Sequence, residues 1–85
     1  MNTLSILNVI NSVELNIESL FDLVDVYGLS RAVEIQAKMA LFFAIKESGD
    51  KYLIAEAPLA VNSLYEAHKT KFENQAKLAF AQEYK

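Results

Sequence analysis

A chain of 85 residues with no cysteine and a net charge of −3 excludes two independent cores, disulfide or thiolate chemistry, and the basic footprint of a phosphate-backbone binder. Hydrophobic residues make up 53% of it, more than a monomeric core of this size is expected to hold, which points to self-association or a dedicated protein partner. Alanine supplies part of that surplus, and alanine exposed on a helix requires no partner.

The first predicted element is a helix from about Thr3 to Tyr27. Ile6, Ile10, Val13, Ile17, Leu20, Val24 and Tyr27 follow one another at alternating steps of four and three, the spacing that holds one helical stripe against a neighbour. Leu7, Val9, Phe21 and Leu23 flank the stripe and widen it, as in a bundle helix. Asn2 or Thr3 offers an N-cap, and Gly28 a left-handed stop.

Ser30 can cap a second helix, predicted over about 30–48, which Gly49 closes before Asp50 caps the next segment. From Met39 to Ile45 every residue is apolar, so the middle of this helix is expected to be buried from more than one side. A three-helix monomer surrounds none of its helices in this way. Leu41, Phe42, Phe43 and Ile45 are therefore expected at an interface with another chain. Ile10, Val13, Ile17 and Leu20 either join them there or complete the core.

Residues 51–56 read as a short helical piece. Pro58 then suits the first turn of a long helix over 58–84, where its missing N–H costs no hydrogen bond; one kinked helix is the alternative. Val61, Leu64, Tyr65, His68, Phe72, Ala76, Ala79 and Phe80 make its apolar stripe. Asn62, Glu66, Lys69, Glu73 and Lys77 make the solvated face, with Glu66–Lys69 and Glu73–Lys77 at ion-pair spacing. The fold expected is all-α: one domain over 1–85, with three main helices (about 3–27, 30–48 and 58–84) plus the piece 51–56. Oligomerisation, most simply into a homodimer, is expected to complete it.

Charge is distributed unevenly. Residues 1–30 hold four acidic groups (Glu14, Glu18, Asp22 and Asp25) and no Lys or Arg, whereas residues 31–85 hold eight basic and seven acidic groups. The spacing lines these carboxylates along one ridge, where like charges repel unless something basic lies beside them. Arg31, Lys38 and Lys46 are the candidates within the chain. An acidic face that keeps an apolar protein in solution is one account of the ridge; a docking surface for a protein partner is the other. Ser5, Ser12 and Ser19, seven residues apart, read as the polar back of the same helix.

No residue pattern nominates a reaction. His68 is the only histidine and sits on an apolar stripe, with no second histidine or cysteine to complete a metal site. Gly28 and Gly49 are isolated, which leaves no phosphate-cradling loop. No catalytic residue, cofactor or metal is expected, and no direct nucleic-acid binding. The longest apolar run, seven residues, falls far short of the ~20 that span a bilayer. A soluble, cytoplasmic protein without membrane contact is expected.

In general profile the chain resembles small, acidic, all-helical accessory proteins of bacteria and phages, among them secretion chaperones, immunity proteins and inhibitors of host or defence enzymes. That likeness is one of type and transfers no site residues. The function expected is a non-enzymatic protein–protein interaction module that self-associates and binds a partner through Glu14, Glu18, Asp22 and Asp25. Two alternatives stand beside it. One is a small-molecule-binding bundle with Phe42, Phe43, Tyr65, His68 and Phe72 around an apolar pocket. The other is an inhibitor of a nucleic-acid-binding enzyme by acidic charge mimicry.

Overall fold

Helices in this chain end at side chains that compete for backbone hydrogen bonds, at glycines with positive φ, and just ahead of Pro58. The computed structural model describes residues 3–83, and the side chains of residues 8–82. It contains six helices: α1 (Thr3–Ser12), α2 (Ile17–Tyr27), α3 (Leu29–Ser48), α4 (Lys51–Ala55), α5 (Ala57–Ala67) and α6 (Lys69–Glu83). The described residues form no strand, so the fold is all-α. The proposed caps at Asn2 and Thr3, the side chain of Ile6 and the end of a helix at residue 84 lie outside these limits.

The helix expected over 3–27 is two helices. Residues 13–16 leave the helical conformation, and Asn16 sits in extended backbone as the N-cap of α2. Its Oδ1 accepts the Ser19 N–H at 3.1 Å, while its carbonyl accepts the Leu20 N–H at 2.9 Å. On the other side of the break, the Ser12 hydroxyl donates to the Val9 carbonyl at 3.0 Å. Asn and Ser offer the backbone these local partners in place of a continuing helix, and the Asn16 cap contributes about 1 kcal/mol. The apolar seam survives the break: Ile10, Val13 and Leu20 are buried, with Ile17 and Val24 packed against them, while Tyr27 faces out.

Gly28 alone separates α2 from α3. Its φ of +83° lies where only glycine is comfortable, and its N–H donates to the Val24 carbonyl at 2.9 Å. Helix α3 starts at Leu29, so Ser30 lies inside its first turn rather than capping it. Left-handed Gly49 ends it, and the Asp50 carboxylate accepts the N–H groups of Tyr52 and Leu53 to open α4. Pro58 occupies the first turn of α5, after a one-residue break at Glu56.

The long helix expected over 58–84 is interrupted at His68, which separates α5 from α6. The His68 N–H is shared between the Leu64 and Tyr65 carbonyls, each at 3.1 Å, and its ring Nδ1 lies 3.0 Å from the Leu64 carbonyl oxygen. A protonated Nδ1 donates to that carbonyl, which turns a lone histidine on an apolar stripe into a local cap. The predicted stripe still faces inward: Val61, Tyr65, Phe72 and Ala76 are buried, and Leu64 and Phe80 pack against the core. The pairs Glu66–Lys69 and Glu73–Lys77 form no ion pair among the described residues.

Short helices wrap α3, which packs against each of the other five. This replaces the expectation that α3 needs a second chain to be buried from several sides. Leu41 and Ile45, together with Ile10, Val13 and Leu20, fill the chain's own core. An edge-to-face contact between Phe21 and Phe80, with centroids 4.6 Å apart, joins α2 to α6. The molecule measures 42 × 21 × 19 Å and exposes 5695 Å², roughly a tenth more than the ~5,000 Å² usual for its mass. No helix among the described residues is long and apolar enough to cross a membrane.

Tyr65 and Phe72 stack at the centre with rings 7° from parallel, and the Lys38 ammonium lies 5.5 Å from the Tyr65 ring centre. Burial, and then the nearby carboxylates of Glu34, Glu73 and Glu66, raise the Tyr65 pKa above its usual value. The unfolded chain therefore releases this proton first, at about pH 10, and stability falls as pH rises beyond that point. A series of thermal melts should show Tyr65→Phe losing less stability than wild type above pH ~10. Equal losses in both proteins would remove Tyr65 from the alkaline transition.

Candidate protein-interaction face

Helix α3 is central, yet one side of it stays uncovered. Met39, Phe42 and Phe43 are 51%, 38% and 57% exposed, and spacings of three and four put them on adjoining strips of the helix surface. The two phenylalanine rings meet edge to face at 6.2 Å. The Lys46 ammonium sits 5.4 Å from the Phe42 ring centre and leaves Phe43 open. Together these side chains form an apolar ridge, whereas Leu41 and Ile45 of the same helix are buried; Val26, Tyr52, Leu59 and Leu78 are exposed on other elements.

A groove lies on either side of the ridge. Towards α5 it is apolar, about 470 Å³, and lined by Lys38, Met39, Phe42, Phe43, Pro58 and Val61. Towards the α1–α2 elbow it is about 390 Å³ and of mixed character, with Glu14, Asn16, Ser19, Gln36 and Glu47 beside Met39 and Phe43. Met39 and Phe43 line both, so the ridge is the wall the grooves share.

The acidic residues fall in two places. Glu18, Asp22 and Asp25 share the outward face of α2, whereas Glu14 lies in the link before α2 and borders the elbow groove. None of the four forms an ion pair among the described residues. The bases named as possible neighbours are engaged elsewhere: Arg31 and Lys38 both reach Glu34, the latter at 3.8 Å, and Lys46 lies over Phe42.

Of the proposed interface residues, then, the structure leaves Phe42 and Phe43 on the surface and Ile17 partly covered, and places the other five in the core. It also disperses the proposed apolar pocket. Tyr65 and Phe72 are core, His68 is tied to its own helix, and Phe42 and Phe43 line an open groove without them. Among the described residues no three His, Asp or Glu side chains converge as metal ligands would.

Met39, Pro58 and Gln36 were not singled out by sequence. The signal for Gln36 was its spacing: it falls among Val33, Ala37, Ala40 and Leu41, at a position that faces inward. Met39 was legible only as part of an apolar run. Pro58 joins the face through its place in space, which spacing along the chain does not give. No protein-family model, no curated protein and no solved structure matches this chain, so its surface is the ground for any functional reading.

Proposed function

We propose that the chain is a non-enzymatic protein-interaction module of the small accessory or inhibitor type, acting in the cytoplasm. The observation that carries this reading is the ridge of Met39, Phe42 and Phe43, three large apolar side chains exposed side by side on the most heavily packed helix. Leaving such residues in water is costly, and a contiguous patch of them marks a surface that another protein covers. A rigid helix suits the role, because aromatic anchors held in place lose little entropy on binding. In the absence of a partner, a second copy of the chain covers the ridge.

The carboxylates of α2 complement this surface. Without neutralising bases of their own, Glu18, Asp22 and Asp25 attract a basic partner and speed its approach more than they tighten its grip. An interface of ordinary size takes about 800 Å² from each side, roughly one seventh of the 5695 Å² available here.

A peptide-display selection against the immobilised protein tests the proposal. Enriched peptides should carry net positive charge beside an apolar anchor and should lose affinity for Phe43→Ser. They should bind Glu18→Lys/Asp22→Lys about tenfold more weakly, with a flatter salt dependence, while that variant keeps its helicity. Peptides that are neutral or acidic, or that ignore both changes, would overturn the reading.

A further inference from the structure

The groove at the α1–α2 elbow holds a polar group that the fold itself does not use. Gln36 is the one buried amide side chain among the described residues, 8% exposed, and it lines this cavity. Its amide has no hydrogen-bond partner among them. It is not sealed in either, since among the described residues no fully buried side-chain nitrogen or oxygen lacks a partner; the amide therefore opens on the cavity. A buried amide in that position is costly until something in the cavity bonds to it.

The bonding capacity around Gln36 is mostly that of acceptors. Glu14 and Glu47 bring carboxylates to the rim, and the Ser12 hydroxyl already donates its proton to Val9. The α3 wall beside Gln36 is apolar, made by Met39, Ala40, Phe43 and Ala44. A matching group is positive, rich in N–H donors, and flat enough to lie on an aromatic face. Guanidinium has all three properties, whereas an ammonium ion is compact and strongly hydrated and gains little from the flat wall. We propose that the elbow cavity receives a guanidinium group, carried into it as an arginine side chain by the protein partner. The assignment of the source rests on the interaction function proposed above; the assignment of the chemistry does not.

Backbone-amide NMR titration tests it, at concentrations where light scattering gives the monomer mass. The probes are Nα-acetyl-arginine N-methylamide and its lysine and citrulline counterparts. The arginine probe should shift amides around Glu14, Gln36, Phe43 and Glu47, with an affinity in the millimolar range. The lysine and citrulline probes should bind about tenfold more weakly. Gln36→Met and Glu14→Gln/Glu47→Gln, each checked for native helicity, should weaken the arginine probe by a similar factor. Equal response to lysine, or shifts confined to the outer face of α2, would overturn the cavity as a guanidinium site. The same arginine flanked by glycine and serine in a short peptide must bind at least as well as the free probe. Exclusion of that peptide would overturn the protein-borne source and assign the cavity to a small guanidine. Failure of every probe, with binding at Phe42 and Phe43 intact, would remove this inference and leave the interaction face standing.

Discussion

Leu20→Asp is expected to unfold the chain. Leu20 is fully buried, 0% exposed, where α2 meets α3. Losing its packing costs about 2–5 kcal/mol, and an unpaired carboxylate in its place adds several more. Together these rival the whole stability of a small domain, about 5–15 kcal/mol. Ile17→Asp should be much milder, although heptad spacing treats the two positions alike. Ile17 is only partly covered and begins α2, and a carboxylate in the first turn is favoured by the helix dipole by about 0.3–1 kcal/mol. Circular dichroism with urea melts will separate them: loss of native helicity for Leu20→Asp, a reduced midpoint for Ile17→Asp. Equal damage from both would argue for one continuous helix through residues 13–16.

The second large effect concerns association. Phe42→Ser/Phe43→Ser should keep native helicity, with stability reduced by about 2–3 kcal/mol, because Phe43 is 57% exposed and Phe42 only 38%. Its association should nevertheless be largely lost, since truncating an aromatic anchor at the centre of an interface costs about 2 kcal/mol or more. Leu41→Ala is the opposite control. It lies between the same turns of α3 but points into the core, so it should reduce stability by about 2–5 kcal/mol. What association it loses should follow from unfolding alone.

These contrasts show where the sequence is readable. The ends of α3 and the start of α4 follow from Gly28, Gly49 and Asp50, because each supplies a conformation or an acceptor that few residues can. Pro58 places the first turn of α5 for the same kind of reason. The stripe from Val61 to Phe80 is legible because helical periodicity carries through an interruption of one residue. The break at residues 13–16 is hidden by that very persistence: the seam runs on at heptad spacing, and only the side chains of Ser12 and Asn16 show where the backbone leaves the helix.

Misplacing the breaks has consequences for the site. With three long helices, the apolar middle of α3 has too few neighbours, and Leu41 and Ile45 are assigned to an interface. With five shorter helices around it, α3 is packed by its own chain, and within its apolar run from Met39 to Ile45 Met39, Phe42 and Phe43 are the exposed side chains. The acidic ridge divides in the same way, since Glu14 leaves α2 and comes to border the cavity of Gln36. Where the chain turns back on itself decides which residues of one helix face protein and which face solvent. Spacing along the sequence carries that information only if the turns are known.

The solution mass of wild type and of Phe42→Ser/Phe43→Ser, measured by size-exclusion chromatography with light scattering over a wide range of concentration, bears on the interaction face without any need for the partner. Wild type should move from the monomer mass towards twice that value as concentration rises, while the double variant remains monomeric throughout. A wild type that stays monomeric at every concentration, or a double variant that associates equally well, would contradict the assignment of the α3 ridge as the surface this protein uses.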